Sequence, residues 1–450
     1  MKYALSRREF LRMAAIGVAG AAVVGCAPAP APAAEGEAAG QAPGAAEVPL
    51  RYMLWEQNQV PAVEQQIAAF KERNPAIAIE IQLVPWDQYW DKLWTSLAGG
   101  GAPDTFWLNM ANFKPLAYRG TLLSQQTYLD AQADLQTDWD TNFDALKAAY
   151  TYEGEAFSWP RDYDTIAIAV NLDLLAEAGL EYPSEENEFR AWDWPTIRSY
   201  AEQLTKQEGG RTSQFGLLAR NTEQEGWFNW VYSNGGSYFN EDLTKCTINE
   251  PPAVEALREY AAYRIDGLSP GAEALQSQDS ADMFFSGRIA MSISGSWDIG
   301  FFNERMTNFA YDLVPIPYAP TGQSICMIHG LGNTIDKNTQ HPDEAFEWVS
   351  FLGSKDGSAI LGNTGTVIPS RRDTADLWFD PSFPPPHRQI FLDWTDKSAF
   401  RPTTAEPASS EWQKILIDQM TLVMEQGKDV QQAMDEAAQQ IDALLAGEGV

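Results

Sequence analysis

The sequence has few basic residues, few histidines and few cysteines for its length. Its 450 residues include 31 lysines and arginines, 62 aspartates and glutamates, three histidines and three cysteines, and the formal charge at pH 7 is −31. A surface this acidic repels phosphate backbones and anionic headgroups, which argues against nucleic acid as a partner. The motifs H-E-x-x-H and G-x-x-x-x-G-K-[ST] are absent from the sequence. Zinc-protease and ATPase chemistry of these types therefore have no sequence support.

Aromatic residues, in contrast, are abundant. Hydrophobic residues make up 44% and charged residues 21% of the chain, which is typical of a folded globular protein. A chain of this length usually has more residues than one hydrophobic core accommodates, so two domains or more are expected. The 16 tryptophans and 16 tyrosines exceed what a core of this size needs, and the surplus indicates a binding surface.

The first segment has the pattern of an export and lipidation signal. A basic stretch, Ser6–Arg12, precedes an apolar run, Met13–Val24, and the order resembles a twin-arginine signal followed by a lipobox that ends at Cys26. A transmembrane anchor is the alternative, but about 12 apolar residues fall short of the roughly 20 that span a bilayer. We predict a signal peptide over 1–25, a lipidated Cys26, and a flexible Ala/Pro tether over 26–49. This places the protein on the outer face of the cytoplasmic membrane.

Two further cysteines, Cys246 and Cys326, lie in the exported part. A disulfide between them and two separate buried thiols are both compatible with the sequence, because spacing along the chain gives no distance.

No metal site and no cofactor are predicted. Asp138, Asp140 and Asn142 match the first half of a calcium loop, but Phe143 occupies its glycine position and Ala149 its bidentate glutamate position.

Strand and helix patterns alternate along the remaining chain. Apolar runs predict strands, and three- and four-residue spacing of apolar side chains predicts helices. Repeated β-α-β units predict an α/β fold with mostly parallel sheets covered by helices. The predicted strands are 50–55, 77–84, 105–108, 165–170 and 289–293, and the predicted helices are 61–72, 86–97, 193–205, 342–352, 411–425 and 430–444.

Several short motifs are distributed along residues 48–450. They are Asn74-Pro75, the LAGGGAPD segment Leu97–Asp104, Trp159-Pro160, Val170–Leu175, Phe285–Met291 with Gly295-Ser296-Trp297, and Gly330-Leu331-Gly332. Together they resemble the extracellular solute-binding proteins of ABC importers, in particular the sugar-binding family 1 cluster of maltodextrin- and oligosaccharide-binding lipoproteins.

The resemblance implies a two-lobed, periplasmic-binding-protein-like (type II) α/β fold with three hinge crossings. Lobe one would comprise 48–159 plus 328–368, and lobe two 160–327 plus 369–450. Solute would bind between the lobes and favour their closure, which a membrane permease with a separate ATPase recognises.

Candidate ligand-binding residues follow from the chemistry of sugars and from the resemblance. Tryptophan offers a flat platform to the apolar face of a sugar ring, while Asp, Glu, Asn and Arg bond to its hydroxyls, and ligands in open α/β sheets bind beyond the C-terminal ends of strands. The resemblance implies that the indole of Trp297 stacks on the sugar. The candidates are Trp55, Glu56, Trp107, Asn109, Arg161, Asp162, Tyr163, Trp227, Trp230, Asn234, Trp297 and Arg371.

A structural role is open for several of these side chains. Any of the tryptophans could belong to the core, and Glu56 and Asp162 could be solvated carboxylates. Arg161 could pair with Asp162 or Asp164 instead of a ligand, and Arg371 could stabilise a hinge crossing.

The sequence thus predicts a lipid-anchored, monomeric receptor that binds a sugar or oligosaccharide and performs no catalysis. An anchored polysaccharide-acting enzyme is one alternative, although 62 acidic residues make paired carboxylates uninformative. A receptor for a phosphorylated polyol, such as a glycerophosphate-type solute, is the other; it would need several cationic or N–H donors in the cleft.

Overall fold

A computed structural model describes residues 47–183, 189–306, 308–379, 384–400 and 408–447. The predicted signal peptide, Cys26 and almost all of the predicted tether lie outside these residues. The first strand begins at Val48, so the last two residues of the predicted tether are already part of the folded chain.

Five strands of the described residues, at 48–54, 77–83, 105–109, 166–171 and 289–295, come from the predicted apolar runs, and the other nine have no counterpart among them. In chain order they are β1 Val48–Leu54, β2 Ile77–Leu83, β3 Thr105–Asn109, β4 Thr151–Tyr152, β5 Glu155–Ala156, β6 Ser158–Asp164, β7 Ile166–Asn171, β8 Lys206–Glu208, β9 Arg211–Leu218, β10 Ile289–Gly295, β11 Tyr311–Val314, β12 Cys326–Ile335, β13 Ile368–Pro369 and β14 Ser398–Phe400.

The helices occupy most of the segments between the strands. They are α1 Val60–Arg73, α2 Trp86–Gly99, α3 Met110–Tyr118, α4 Gln126–Ala131, α5 Ala133–Asp140, α6 Asp144–Ala149, α7 Leu172–Glu177, α8 Trp194–Leu204, α9 Phe228–Ser233, α10 Pro251–Ile265, α11 Ala272–Ser277, α12 Ser280–Phe285, α13 Asp298–Arg305, α14 Pro342–Gly353, α15 Lys355–Asn363, α16 Ile390–Asp393, α17 Ala408–Gln426 and α18 Val430–Leu445. Single 3₁₀ turns cover Gln57–Gln59, Ala375–Trp378 and Thr395–Lys397, and a π-type turn covers Glu223–Trp227.

Two main sheets organise the two lobes. The first has the strand order β13-β6-β12-β3-β1-β2, with β14 pairing to one end of β12, and the second has the order β11-β7-β10-β9-β8. The first sheet is parallel at β1·β2, β1·β3 and β12·β14, and β10·β9 is parallel in the second.

The expectation of mostly parallel sheets is wrong. The strand β12 runs antiparallel to both β3 and β6, and β7 runs antiparallel to both β10 and β11. Strands that enter a sheet from the other lobe do not arrive through a β-α-β crossover, and so the rule that makes such neighbours parallel does not apply to them.

The chain passes between the sheets at three places. Thr165 joins β6 of the first sheet to β7 of the second, the segment between β11 and β12 returns, and the chain leaves the first sheet again after β13. These passages fit the three crossings implied by the family resemblance. The exact lobe boundaries stay a prediction.

Each lobe has its own core. In β1, Tyr52 and Leu54 face one apolar cluster and Met53 faces another, so helices cover both faces of the first sheet. A larger cluster surrounds the second sheet and includes Met434 and Ile441 of α18. The core-facing stripe predicted for α18 is therefore confirmed.

Cys246 and Cys326 are separate, buried thiols in this core. Burial raises the pKa of both thiols to about 12, which keeps them protonated and poorly reactive.

Candidate functional site

A cavity of about 790 Å³ lies where elements of both lobes converge. It is bordered on one side by α2 and α3, on the other by residues 222–225 and the beginning of α17, and by Met327 and His329 of β12. Asn109 ends β3, and residues 222–225 follow β9, so the cavity lies beyond the C-terminal ends of strands from both sheets.

A row of three tryptophans on α2 forms one wall. Trp86, Trp90 and Trp94 are spaced four residues apart and all line the cavity. Their neighbours at the adjacent helical positions, Tyr89 and Leu93, are fully buried. The buried face fixes the rotation of α2 about its axis, and this rotation points the indoles into the cavity.

Further aromatic rings support this wall from behind. The ring of Trp55, at the end of β1, lies 5.3 Å from that of Trp86, 5.6 Å from that of Trp90 and 5.1 Å from that of Trp107. Trp107 is fully buried, and its indole N–H donates to the Tyr52 hydroxyl at 2.5 Å. The contacts of Trp55 with Trp86 and Trp107 are edge-to-face and that with Trp90 is tilted, and together they hold the cavity-lining indoles on an apolar base.

The beginning of α3 adds polar groups beside the indoles. The side chain of Asn109 caps α3 by accepting from the backbone N–H of Asn112 at 3.1 Å and from its side-chain amide at 2.8 Å. Near the other end of α3, the guanidinium of Arg119 lies 4.9 Å from the ring centre of Trp94 and covers that side of the indole.

The opposite wall is rich in acceptors. Glu223, Gln224 and Glu225 line it within the π-type turn, and Glu411 and Gln413 line it from α17. The side-chain amide of Gln413 donates to Glu223. Together with Asp91 on α2, four carboxylates therefore border the cavity, with Arg119 as the guanidinium among its lining residues.

Hydrogen bonds hold the π-type turn against α17. Asn221 donates through its side-chain amide to the Ile417 carbonyl at 3.1 Å and to the Thr421 hydroxyl at 2.8 Å. Gly226 packs closely, since a Cβ there would lie 3.0 Å from the Arg220 carbonyl oxygen. The acceptor wall is thus fixed by packing within its own lobe.

Carboxylates also lie next to His329, near the crossing from β6 to β7. Asp164 accepts from Ser296 at 3.4 Å, and its carboxylate lies 3.8 Å from Nδ1 of His329. Burial raises the pKa of nearby Asp298 to about 7, with Glu225 and Asp164 adding repulsion and Arg220 opposing the shift.

Among the residues predicted from sequence, Asn109, Trp55 and Glu56 lie at or beside the indole wall. Asn109 lines the cavity, and Trp55 contacts two indoles that do. Glu56 follows Trp55 and is half-buried, and its burial raises the pKa of the carboxyl.

The structure does not bring Arg161, Asp162 or Tyr163 to the surface of the cavity. Arg161 pairs with Asp162 and donates to Gln59 at 2.7 Å, and its guanidinium lies 4.1 Å from the ring centre of Trp107. Burial raises the pKa of Asp162, and the adjacent guanidinium opposes that shift. All three side chains are buried, so the alternative of internal pairing describes Arg161 here.

Trp227, Trp230 and Asn234 also lie in the interior. Both indoles are fully buried in the core of the second lobe, and Trp230 packs edge-on against Tyr260 at 5.0 Å. Asn234 follows α9 and donates to the Pro252 carbonyl at 2.9 Å. The segment that precedes these residues, 222–225, reaches the cavity instead.

The side chains of Trp297 and Arg371 make contacts within the protein itself. The indole of Trp297 lies over Gly295, where a Cβ would come within 2.1 Å of the ring, and it is half-buried. Arg371 is buried, and it pairs with Asp138 at 2.6 Å and with Asp373 at 2.9 Å beside the third chain passage. Ligand contact by these side chains stays a prediction.

The sequence reasoning missed the row on α2 and the acceptors of residues 223–225. The apolar spacing predicts the helix α2, but none of its three tryptophans is among the predicted ligand-binding residues. The available signal was the spacing of Trp86, Trp90 and Trp94, since they repeat every four residues beside a complete core stripe of Tyr89, Leu93 and Leu97.

The described residues contain neither a membrane-spanning helix nor a cluster of metal-binding side chains. None of the described helices is long and apolar enough to cross a bilayer. In the same part of the chain, no group of three or more His, Cys, Asp or Glu side chains could hold a metal ion.

Comparison with known families agrees with this architecture. Residues 56–359 match the family model described as bacterial extracellular solute-binding protein, which covers more than half of the chain. The chain belongs to this family of solute-binding proteins.

Relatives and solved structures lead to the same group. A Brucella abortus protein described as a binding protein is 23% identical over 338 residues, covering 74% of this chain and 78% of the relative. The galactooligosaccharide-binding protein of Bacillus subtilis is 22% identical over 405 residues, covering 86% and 87%.

A Listeria monocytogenes ABC substrate-binding protein, solved with cycloalternan, aligns with a TM-score of 0.80 at 24% identity over 89% of this chain and 99% of its own. The sugar-binding protein of Xanthomonas citri aligns with a TM-score of 0.72 at 20% identity over 89% and 98%. These likenesses show the two-lobed fold.

Proposed function

We propose that this protein is a receptor that binds a sugar or oligosaccharide between its lobes and delivers it to an ABC importer. The observation that carries the proposal is the pairing of two unlike walls in one cavity, a row of indoles on α2 and a set of carboxylate and amide side chains opposite. A sugar has an apolar face of C–H groups and a rim of hydroxyls, so it matches both walls at once.

The charge of the cavity argues against a phosphorylated polyol. Asp91, Glu223, Glu225 and Glu411 border it, together with the guanidinium of Arg119. A phosphate would be repelled by four carboxylates and would meet a guanidinium that already stacks on Trp94. Neutral hydroxyls, in contrast, donate to carboxylates with charge-assisted strength.

Delivery without chemistry is part of the proposal. The relatives above are named as binding proteins, and a binding role requires only that contacts from both lobes favour a closed form. The partners would be a membrane permease and a separate ATPase. The protein would act as a monomer held by lipid on Cys26 through the tether that follows it, on the outer face of the cytoplasmic membrane.

A ligand screen on the mature chain tests this function. A sugar at 100 times its dissociation constant should stabilise the protein by about 2.7 kcal/mol, seen as a raised melting temperature, while glycerol 3-phosphate should give no shift. The sugar should be recovered unchanged after prolonged incubation. Hydrolysis of the sugar, or a shift with glycerol 3-phosphate and with no sugar, would contradict the proposal.

A further inference from the structure

The indole row extends along the cavity for more than two helical turns. From Trp86 to Trp94 the helix advances eight residues, which corresponds to about 12 Å along its axis. Ligand-binding cavities usually measure about 300–1,000 Å³. At about 790 Å³ this cavity lies toward the upper end of that range.

The three indoles present different surfaces. The rings of Trp86 and Trp90 are perpendicular, with centres 5.3 Å apart, and so they form a corner in which one offers its face and the other its edge. Trp94 lies one turn further on, and Arg119 covers one side of its ring. A compact ligand in the corner would therefore leave Trp94 uncovered.

Trp86 is also unusually open for so large an apolar side chain. Its relative exposure is 49%, although its ring packs against Trp55 and Trp90. Covering such a surface with an apolar ligand face is favourable in proportion to the area removed from water. The row therefore contributes most to the binding free energy when a ligand covers all three indoles together.

We propose that the ligand is an oligosaccharide of at least three sugar rings that lies along α2, so that Trp86, Trp90 and Trp94 contact successive parts of it. The proposal rests on the function proposed above and narrows its substrate class. The hydroxyl edge of the same chain faces Glu223, Glu225 and Gln413 across the cavity. A monosaccharide would cover the indoles at one end of the row and leave the indole at the other end exposed to water.

Calorimetric titration with two length series tests the proposal: glucose to maltotetraose, and galactose to the corresponding β-1,4-galactotetraose. In the series that binds, affinity should rise at least about tenfold from the monosaccharide to the trisaccharide and then level off, because one covered indole is worth about one such step. Circular dichroism and the unliganded melt check the folding of every variant.

Variants at the two ends of the row give the sharper result. Trp86→Ala and Trp94→Ala should each weaken trisaccharide binding about tenfold, whereas a disaccharide, which is too short to reach both ends, should lose affinity in only one of them. Trp86→Phe and Trp94→Phe retain a ring and should recover part of the loss. Thr95→Ala changes an exposed position of α2 outside the cavity lining and should bind as the parent does.

The outcomes of these titrations distinguish the length proposal from the proposed function. A monosaccharide that binds as tightly as the trisaccharide, or a disaccharide weakened equally by both end variants, would overturn the length proposal and leave a sugar receptor. If no member of either series and no sugar of the ligand screen binds, the proposed function fails and the length proposal fails with it.

Discussion

At the scale of single residues, Gly295 and Trp297 depend on each other. The six-membered ring of Trp297 lies directly over the Gly295 backbone, where a methyl group would come within 2.1 Å of it. A Cβ at this position would force the indole to shift from the place where it packs against the apolar cluster of the second lobe. Trp297 therefore has a packing role in this structure.

Gly295→Ala should destabilise the protein by about 1–3 kcal/mol, because the added methyl group displaces the indole from its packed position. Urea unfolding followed by circular dichroism measures the change. Gly300→Ala is the matched control: it lies in α13 with open space around it, and the same substitution there should be neutral or stabilising by up to about 1 kcal/mol. Equal effects at both glycines would contradict the packing argument.

Residue-level roles were only partly predictable from the sequence. Asn109 lines the cavity and Trp55 lies beside it because both follow recognisable strand ends, where ligands of open α/β sheets bind, while their contact with a ligand stays a prediction. Trp227 and Trp230 were not distinguishable from cleft residues, because a buried indole and an exposed one have the same local sequence pattern and differ in what the rest of the chain packs on them. Only tertiary contacts decide that difference.

At the scale of elements, helix ends show how local chemistry sets structure. Asp193 precedes α8, and its carboxylate accepts from the backbone N–H of Thr196 at 3.0 Å. The cap satisfies one of the unpaired donors at the helix end, while Trp194 and Ile197 anchor the same turn in the core.

Asp193→Ala should lower the free energy of unfolding by about 0.5–2 kcal/mol, because the capping acceptor is lost. Asp193→Asn retains an acceptor oxygen and should recover most of the stability in the same chemical denaturation experiment. If the asparagine variant is as unstable as the alanine variant, the carboxylate acts through its charge and not as a cap.

The positions of several long helices were predictable, while strand pairing was not. The helices α14 and α18 lie within a residue or two of their predicted limits, because their apolar spacing is a local property of the sequence. The antiparallel position of β12 between β3 and β6 depends on residues more than 150 positions apart, and no local pattern carries that information.

At the scale of the whole molecule, acidity couples stability to pH. The formal charge of −31 opposes compaction, and burial raises the pKa of Asp162 and that of Asp298, the latter to about 7. An aspartate in the unfolded chain loses its proton near pH 4, whereas the folded chain holds it until about pH 7. The folded state thus binds more protons in this window, and the free energy of unfolding falls as pH rises through it.

Asp298→Asn should make that fall shallower between about pH 5 and pH 7, because one of the protons held by the folded state is no longer involved. Urea midpoints measured at intervals across this range provide the slope. Asp173→Asn, an exposed carboxylate in the first turn of α7, is the matched control and should follow the parent slope. A parent whose stability rises with pH over this range would contradict the sign of the argument.

The strand β12 serves several parts of the molecule with one uninterrupted stretch of backbone. Cys326, Met327 and Ile328 pair with β14, Met327 and His329 border the cavity, and Leu331–Ile335 pair with β3. Because side chains alternate along a strand, inserting or deleting one residue in its middle would reverse the alternation for everything downstream. The length of β12 is therefore constrained. We expect relatives to differ in the amino acids of this strand but not in its number of residues.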